Sequence, residues 1–464
     1  MTERALASIK NATPQPYWLD AEDPQRDFTR LSGDVRGDLV IIGGGFTGLW
    51  TALLARQRYP QKHIVLVEAG FCGGQASGRN GGFCAPSISH GVGNALRRWP
   101  KEAAELVRLG RQNLDDLQRD VEQFGLNVEF ERKGKLNVAT QPWQIEGLRG
   151  MVKNLQRFNI DCQYLEGTEL KQYLDSPAYG AGVWEPNYAL LNPVKMVREL
   201  RRVCLEQGIE IYEHTPATQL QEFTDGVVLT TAYGTVQATQ AVLATNIFTS
   251  LLPGLGSKVI PIYDYALTTQ PLSDEQLAAI GWNDRYGIAD AGNQFHYLRK
   301  TRDNRILWGG FDAIYPYGSK IEEKLTQRPE TFIRLAEQFH STFPQLGDIH
   351  FSHAWGGIID SSARTTMFTG QTRQGRIAYA LGFTGQGVSA TRFAAATLLD
   401  LLAGEKTERT ALKMLSRTPV MFPPEPLRYT AVSLAQRGLE EEDQTGKRNL
   451  LLRTMDAFGV GFDS

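Results

Sequence analysis

Two short apolar runs lie near the front of the chain, at residues 39–42 (LVII) and 64–67 (IVLV). Continuous apolar runs of this length predict strands that are buried on both faces rather than strands with one solvent-exposed face. Between the two runs, residues 46–58 are predicted to form a helix that ends before Pro60. A strand, a helix and a second strand in this order predict a parallel sheet.

The remainder of the chain carries helical and strand patterns of other kinds. Apolar residues recur at helical spacing from about 95 to 125, and residues 127–140 alternate around a Lys-Gly pair, which predicts a hairpin. Residues 259–270 (VIPIYDYALTTQ) predict one long strand, and residues 294–311 predict two strands. Residues 376–402 predict a strand, a glycine-rich turn and a long helix.

Composition narrows the class of protein. The chain has 464 residues, of which 42% are hydrophobic and 22% charged, and its net charge is −2. This balance is typical of a globular protein and gives no indication of a nucleic-acid partner. The four cysteines form no C-x-x-C pair, and no apolar run approaches the roughly 20 residues that a membrane span needs. The amino terminus has no signal-peptide pattern, so we expect a cytoplasmic protein.

A glycine-rich turn, IIGGGFTGLW, follows the first apolar run directly. Gly43, Gly45 and Gly48 match G-x-G-x-x-G, with Phe46 and Thr47 between the last two glycines. In such a turn the first glycine reverses the chain, the second lets backbone approach a pyrophosphate, and the third lets the helix pack on the strand. The free N–H groups at the helix N-terminus then face the phosphates.

An acidic residue supports the nucleotide-binding interpretation of this turn. Glu68 follows the second apolar run, 20 residues after Gly48, where a carboxylate accepts hydrogen bonds from ribose hydroxyls. The same carboxylate disfavours a 2′-phosphate, so NADP is the dinucleotide that fits least. The choice between NAD and FAD stays open on this motif, and the alternative is a purely structural glycine turn.

Two further segments are candidates for contact with a flat, polar ring. The segment SGRNGG, at residues 77–82, contains small residues beside an amide and a guanidinium, although a flexible surface loop has the same composition. The turn GFTGQG, at residues 382–387, leads into a second helix N-terminus, which stabilises negative charge on the N1–O2 edge of a reduced flavin. Its alternative is an ordinary strand-to-helix turn. The cofactor candidates in the two segments are Ser77, Arg79, Asn80, Gly81, Gly382, Thr384, Gly385, Gln386 and Gly387.

In this order, the three motifs resemble those of the D-amino-acid oxidase, glycine oxidase and sarcosine oxidase superfamily of FAD-dependent enzymes. The later segments AVLATNIFTS, PIYDYALTTQPL, RILWGG and AWGG follow in the order of that superfamily. The resemblance is nearest to the branch around gamma-glutamylputrescine oxidoreductase and the aminophosphonate oxidoreductases. It implies oxidation of the C–N bond of a small primary or secondary amine, by hydride transfer to flavin N5 and hydrolysis of the imine.

The resemblance also implies an α/β fold class with two domains. One is a Rossmann-like FAD-binding domain with a parallel sheet, and the other is an α+β substrate domain with a large antiparallel sheet. The expected divisions are an N-terminal arm at 1–37, an FAD-binding domain at 38–100, 190–258 and 350–415, a substrate domain at 101–189 and 259–349, and a C-terminal extension at 416–464.

Four residues are candidates for the catalytic or substrate-binding wall by their places in the family pattern: Tyr265, Tyr297, Arg299 and Trp355. Asp264 is a further candidate, as the partner of a substrate ammonium. Alternative interpretations stay open for most of them. Tyr297 and Trp355 are equally well explained as core residues, Arg299 as an exposed residue of a surface strand, and Asp264 as a solvent-exposed carboxylate.

Departures from the family pattern bear on the substrate and on the acceptor. Ile358 stands where amino-acid oxidases have an arginine that binds the substrate carboxylate, so we expect an amine without a simple α-carboxylate. Leu307 stands where sarcosine-oxidase-like members have a lysine that activates oxygen, so the acceptor is either O₂ or another compound. A non-catalytic or electron-transfer flavoprotein and an NAD-dependent dehydrogenase are the alternative functions. The sequence gives no indication of oligomeric state.

The sequence predicts that FAD is bound without a covalent link. The segment 361–370, where related enzymes have a flavin-linked cysteine, contains none, and residues 77–82 contain no histidine. Acid precipitation of the purified protein is therefore expected to leave the flavin in a yellow supernatant. A yellow pellet would contradict this prediction and would point to Cys72 or Cys84 as the attachment site.

Overall fold

The computed structural model describes residues 2–20, 27–457 and 461. A six-stranded sheet, called the parallel sheet below, contains the two apolar runs as neighbouring parallel strands. In spatial order its strands are Phe368–Gln371, Ile377–Leu381, Gln240–Leu243, Leu39–Ile42, Ile64–Val67 and Glu210–Tyr212. Only the first of these runs antiparallel to its neighbour. Each residue of the two apolar runs is buried, as continuous apolar strands in a doubly covered sheet must be.

The second sheet has eight strands and is mostly antiparallel, and we call it the large sheet. In spatial order its strands are Phe351–Ser362, Val259–Thr269, Ile306–Gly310, His296–Lys300, Gly287–Asp290, Lys135–Ala139, Ala181–Glu185 and Gln163–Glu166. One neighbouring pair, Gly287–Asp290 with Lys135–Ala139, is parallel. The predicted combination of a Rossmann-like parallel sheet with a large antiparallel sheet is thus confirmed.

Smaller sheets and helices complete the described chain. A four-stranded sheet contains Val35–Arg36, Gly234–Ala238, Val227–Thr231 and Ala217–Glu222, and a two-stranded one contains Phe83–Cys84 and Ala189–Leu190. The α-helices are Thr2–Ile9, Tyr17–Asp20, Phe46–Arg58, Ala76–Arg79, Gly91–Arg98, Ala103–Gln123, Gln144–Arg157, Gly167–Lys171, Pro193–Glu206, Asp274–Ala279, Pro329–Thr342, Gly387–Leu402, Glu408–Ala411, Lys413–Ser416, Leu427–Thr445 and Leu450–Ala457. Short 3₁₀ turns lie at Tyr317–Ser319, Glu323–Thr326 and Pro344–Leu346. Within the described ranges, no helix is long and apolar enough to cross a bilayer.

Most predicted elements have the expected bounds, but the hairpin at 127–140 is wrong. Of that segment only Lys135–Ala139 forms a strand, and it pairs with Ala181–Glu185 and Gly287–Asp290. Its alternation therefore reflects pairing with strands that are distant in the chain rather than a local turn.

Two segments pack differently from the expected domain division, whose boundaries stay a prediction. Strand Phe351–Ser362 pairs along its length with Val259–Thr269 and so belongs to the large sheet. Helix Ala103–Gln123 packs against helix Gly387–Leu402, on the side of the parallel sheet. The N-terminal arm is also attached to the body, because Thr2–Ile9 packs on Pro329–Thr342.

Candidate functional site

A cavity of about 1000 Å³ lies between the two sheets. Its walls contain most of the residues that the sequence predicted for cofactor binding: Gly45, Phe46, Thr47, Ser77, Arg79, Asn80, Gly81, Thr384, Gly385, Gln386 and Gly387. Tyr265, Tyr297 and Trp355 also line it, as does Asp264. The three separate sequence motifs therefore meet at one cavity, which the large sheet closes on its other side.

The first glycine turn is tight for the reasons that its sequence suggests. Gly43 has φ of +111°, and a Cβ at this position would lie 2.4 Å from the carbonyl oxygen of Ala244. A Cβ on Gly48 would lie 1.9 Å from the carbonyl oxygen of Gly43. Neither position accepts a side chain, because Gly43 lies against the backbone that follows the neighbouring strand Gln240–Leu243 and Gly48 lies against the turn itself.

The start of helix Phe46–Arg58 is open toward the cavity. Its N-cap residue, Gly45, provides no side-chain cap, and the N–H of Phe46 donates to Ser77 Oγ at 2.9 Å. A Cβ on Gly45 would lie 3.0 Å from that hydroxyl oxygen. The other backbone N–H groups at this helix start suit the pyrophosphate of a dinucleotide.

Glu68 stands beside this turn as the sequence predicted. Its carboxylate accepts the N–H of Gly44 at 2.6 Å and the N–H of Gly70 at 2.8 Å. Burial raises the pKa of Glu68, and these two backbone N–H groups oppose that rise. A carboxylate has about four acceptor positions, so it can accept a ribose hydroxyl besides these backbone N–H groups. The turn and the carboxylate together fit FAD.

Two tryptophan indoles hold the segment of residues 76–82, called the ring segment below. Trp355 Nε1 donates to the carbonyl oxygen of Arg79, and Trp18 Nε1 donates to that of Asn80, both at 2.9 Å. The Asn80 side chain accepts the N–H of Gly82 at 2.8 Å. The N-terminal arm thus takes part in the site through Trp18, whose exposed fraction is 1%.

Arg79 ties the ring segment to the large sheet. Its Nε donates to the carbonyl oxygen of Gly74, and its other guanidinium nitrogens donate to Gly356 O at 3.3 Å and to Glu323 Oε1 at 2.9 Å. These contacts support a role for Arg79 in positioning the ring segment, with flavin contact left as a prediction.

Asp360 shapes the turn at 382–387, and the sequence analysis missed it. Its carboxylate accepts the N–H of Gly382 at 2.6 Å and the N–H of Phe383 at 3.2 Å. The N–H of Thr384 donates to the Asp360 carbonyl oxygen at 3.1 Å. Burial raises the pKa of Asp360 to about 7. The signal available in the sequence was an acidic residue that directly follows the apolar pair Ile358-Ile359 in a buried strand.

Asp264 and Tyr297 form a hydrogen-bonded pair on the cavity wall. The Tyr297 hydroxyl donates to Asp264 Oδ2 at 2.7 Å. The Tyr297 ring lies over Gly309, where a Cβ would be 2.5 Å from Tyr297 Cζ. The edge of the same ring faces Gly81 of the ring segment. Burial raises the pKa of Asp264 to about 6, and the bond from Tyr297 opposes that rise. A titratable carboxylate therefore stands beside the ring segment.

Tyr265 and Arg299 are placed differently from the expected substrate contacts. The Tyr265 hydroxyl donates to the carbonyl oxygen of Leu325 at 2.8 Å, on the face of its strand opposite to Asp264. Arg299 Nη1 donates to the carbonyl oxygens of Gly81 at 3.1 Å and Leu191 at 2.5 Å. Burial lowers the pKa of Arg299 to about 10. Arg299 shares the strand face of Tyr297, but its guanidinium is directed at backbone carbonyl oxygens, and the Tyr265 hydroxyl is likewise bonded to backbone, which suits a structural role for both residues better than contact with a substrate.

The register of strand Phe351–Ser362 changes the argument drawn from Ile358. Ile358 pairs with Tyr263, so its side chain lies on the face opposite to Asp264. Ile359 pairs with Ile262 and packs beside it on the cavity side. Ile358 and Ile359 are both among the residues that line the cavity, so neither position of this strand offers it a cation. Leu307 is fully buried and packs in the same cluster as Trp18.

The C-terminal extension covers part of the cavity. Gln436 and Leu439 of helix Leu427–Thr445 line it. Asp443 of the same helix accepts the N–H groups of Asn293 at 2.8 Å and Gln294 at 2.7 Å. This helix therefore separates the cavity from solvent on one side.

A dinucleotide turn that opens into a cavity with a buried carboxylate defines a dinucleotide-dependent oxidoreductase. Residues 38–401 match the family model described as DAO, FAD dependent oxidoreductase, and the chain belongs to that family. Its cofactor is thus FAD, and the alternative of an NAD-dependent dehydrogenase is wrong.

Relatives and solved structures agree with this assignment. The chain is 27% identical over 411 residues to gamma-glutamylputrescine oxidoreductase of Escherichia coli, covering 87% of this chain and 92% of the relative. It is 25% identical over 397 residues to the probable oxidoreductase OrdL of Haemophilus influenzae, covering 84% of this chain and 88% of the relative. The fold matches glycine oxidase from Geobacillus kaustophilus with a TM-score of 0.68 at 17% identity, over 80% of this chain and 96% of that one.

We predict that Gly45→Val abolishes FAD binding, because the new side chain would fill the opening at the helix N-terminus and press on Ser77 Oγ. The measurement is bound flavin absorbance per protein, with circular dichroism to report folding. Gly180→Val is the matched control, since its added Cβ meets only Ile145 Cδ1 at 3.7 Å. Stoichiometric FAD in Gly45→Val would sink the motif assignment.

We predict that Trp18→Phe weakens FAD binding by about tenfold, because it leaves the buried Asn80 carbonyl oxygen without its indole donor. The measurement is the FAD dissociation constant of reconstituted apoprotein. Trp282→Phe is the control, since the buried Trp282 indole N–H has no hydrogen-bond partner among the described residues. Equal dissociation constants for the two variants would show that Trp18 does not hold the ring segment in a binding conformation.

Proposed function

We propose that this protein oxidises the C–N bond of a small primary or secondary amine. The observation that carries the proposal is the Asp264–Tyr297 pair, which lies on the cavity wall directly beside the ring segment. The similarity to the Escherichia coli relative, a gamma-glutamylputrescine oxidoreductase, supports an amine substrate. The apolar neighbours Ile262, Ala266 and Ile359 favour a dry site for the reacting carbon.

Bound FAD would supply the acceptor for the hydride that leaves the carbon attached to the amine nitrogen. The nitrogen must be neutral for that step, because its lone pair stabilises the positive charge that develops on the carbon. Most amines are protonated near neutral pH, so a group of the protein has to take up one proton first. The imine product then leaves the dry site and is hydrolysed in water.

Asp264 is the group that we propose for this proton. Its Oδ2 accepts the Tyr297 hydroxyl, which leaves Oδ1 available to an ammonium. A buried carboxylate without a full counter-charge attracts a cation strongly, so the ammonium binds first and then transfers its proton to Oδ1. Tyr297 orients the carboxylate and stabilises its ionised form, since Tyr297 itself stays protonated: burial and Asp264 both raise its pKa.

Trp355 and Tyr265 are proposed to act indirectly. Trp355 positions the ring segment through the bond to the Arg79 carbonyl oxygen. Tyr265 stiffens the strand that carries Asp264 through its own bond to Leu325. We propose that the electron acceptor is not fixed to O₂, because the fully buried Leu307 offers no cation where oxygen-activating relatives have lysine.

The test is anaerobic bleaching of the flavin by a panel of amines, followed by stopped-flow kinetics on the fastest one. We predict that Asp264→Asn raises the amine dissociation constant about tenfold to a hundredfold, because it removes a charge-assisted hydrogen bond. Asp225→Asn, at an exposed turn, is the control.

The pH dependence of flavin reduction distinguishes a proton-accepting role of Asp264 from a role in packing alone. Because burial raises the Asp264 pKa to about 6, the carboxylate is lost as the pH falls through that value. We therefore expect the second-order rate constant for flavin reduction to fall below pH about 6 in the wild type and to lose that limb in Asp264→Asn. No bleaching by any amine would instead support a non-catalytic or electron-transfer flavoprotein.

A further inference from the structure

One wall of the cavity comes from helix Leu427–Thr445, called the C-terminal helix below, which lies outside the residues 38–401 that match the family model. Gln436 and Leu439 of this helix line the cavity, and Asp443 bonds to a loop that also lines it. The three residues are spaced by three and four positions, so they share one face of the helix. The amine oxidation proposed above uses none of them.

Asp443 attaches this face of the helix to the large sheet. Both of its carboxylate oxygens are occupied, because Oδ1 accepts the N–H of Asn293 at 2.8 Å and Oδ2 accepts the N–H of Gln294 at 2.7 Å. These two residues belong to the loop that precedes strand His296–Lys300, which carries Tyr297. The C-terminal helix is therefore fixed to the strand whose tyrosine orients the proposed proton acceptor.

Trp143 fixes the end of the same helix. Its Nε1 donates to the Asp443 carbonyl oxygen at 3.1 Å, and its ring lies against the C-cap residue Gly446, where a Cβ would be 2.9 Å from Trp143 Cγ. Leu439, which is 6% exposed, packs in a small apolar cluster with Leu452 of the following helix. The hydrogen bonds of Asp443 and Trp143 therefore hold Leu439 at the cavity.

Gln436 reaches the part of the cavity that contains Asp264. Its Nε2 donates to the carbonyl oxygen of Ala313. The next residue, Ile314, exchanges backbone hydrogen bonds of 2.8 and 2.9 Å with Tyr263, which precedes Asp264. In this antiparallel pairing Ala313 stands opposite Asp264, and both line the cavity with Gln436. Gln436 Oε1 accepts no hydrogen bond from the residues that the structure describes.

An ammonium beside Asp264 needs more than one acceptor. A protonated primary amine has three N–H groups, and Asp264 Oδ1 accepts one of them. In a site that excludes water, each remaining N–H group loses free energy unless it finds an acceptor of its own. An amide oxygen such as Gln436 Oε1 accepts such a hydrogen bond but is far too weak a base to take the proton. It therefore helps to bind the ammonium and leaves the proton transfer to Asp264.

We propose that the C-terminal helix is part of the substrate site and determines which amines fit. Gln436 Oε1 accepts an N–H group of the substrate ammonium beside Asp264. Leu439 limits the bulk of the group attached to the reacting carbon, since its buried side chain closes the cavity at this wall. Asp443 is a positioning residue that keeps both side chains in place. This deepens the amine oxidation proposed above and rests on it.

Calorimetry on the FAD-loaded protein tests the size limit without turnover. The two ligands are tert-butylamine and the larger 2,4,4-trimethylpentan-2-amine, and neither can be oxidised because the carbon attached to nitrogen carries no hydrogen. In Leu439→Ala we predict that the ratio of their dissociation constants shifts at least about tenfold in favour of the larger amine, since pockets discriminate small changes in apolar bulk by about this factor.

Matched variants locate this effect. Leu439→Val is expected to give a smaller shift in the same direction, and bound FAD and circular dichroism report whether each variant folds. Leu434→Ala is the control, because Leu434 lies on the same helix and is 47% exposed. An unchanged ratio in folded Leu439→Ala and Leu439→Val would overturn the size limit, whatever the outcome of the amine panel.

The amide contact has its own test. Gln436→Met keeps the side-chain length without the amide, and we predict that it raises the dissociation constant of tert-butylamine about tenfold, because a hydrogen bond to a charged group is lost. Gln444→Met, at an exposed position of the same helix, is expected to leave that constant unchanged. Equal constants for the two variants would overturn the contact of Gln436 with the ammonium.

Asp443→Ala tests positioning separately from contact. Deuterium exchange of the Asn293 and Gln294 amides, followed by mass spectrometry, is expected to accelerate, and the size preference between the two amines is expected to weaken as in Leu439→Ala. Glu441→Ala, exposed on the same helix, is the control. Faster exchange with an unchanged size preference would overturn the positioning role of Asp443.

Flavin reduction connects this wall to catalysis. For butylamine and 3,3-dimethylbutylamine, Leu439→Ala is expected to shift the ratio of dissociation constants toward the branched amine with a similar limiting rate for butylamine. Bleaching by both amines with a ratio that ignores Leu439→Ala would overturn the proposed wall and leave amine oxidation standing. Bleaching by no amine, together with a calorimetric shift, would overturn amine oxidation and support the wall.

Discussion

The Trp355 indole donates to the carbonyl oxygen of Arg79, and this bond joins the parallel sheet to the large sheet at the cavity. Arg79 lies in the ring segment, which follows the second strand of the dinucleotide-binding unit, whereas Trp355 lies on an edge strand of the large sheet. A carbonyl oxygen that is largely removed from water needs a donor, so this indole and that of Trp18 help to hold the shape of the ring segment. The nucleotide-binding turn and the wall that carries Asp264 therefore face each other across one rigid contact.

Buried carboxylates perform distinct tasks around this contact because their hydrogen-bond partners differ. Asp360 accepts two backbone N–H groups and so holds the turn at 382–387. Glu68 likewise accepts two backbone N–H groups beside the dinucleotide turn. Asp264 accepts one side-chain hydroxyl on the open wall of the cavity, which leaves it the most available to a cation. The same chemical group, a carboxylate, thus supports the backbone in two places and in the third is the proton acceptor that we propose.

Local patterns predicted the backbone well wherever the cause is local. The strands at 39–42 and 64–67 have the bounds that their apolar runs indicate, because a strand covered on both faces buries every residue of a continuous apolar run. The helix between them ends before Pro60, as the proline indicates. The hairpin predicted at 127–140 is wrong because the strand in this segment pairs with strands about 50 and 150 residues away in the chain. The position that matches the carboxylate-binding arginine of amino-acid oxidases depends on register in the same way, because a shift of one residue moves a side chain to the other face of a strand, and its assignment to Ile358 stays a prediction.

By itself, the sequence determined the dinucleotide turn, the acidic residue that follows it, the order of the flavin-associated motifs and the parallel strands around the turn, whereas the large antiparallel sheet was expected only from the family resemblance. These depend on spacings of a few residues, which steric limits on glycine and the periods of strand and helix translate directly into backbone. Only the tertiary structure brought Trp18 to the ring segment, Tyr297 to Asp264 and Asp443 to the loop before strand His296–Lys300. Those meetings depend on strand register and on the packing of segments far apart in the chain, and no local pattern encodes either of them.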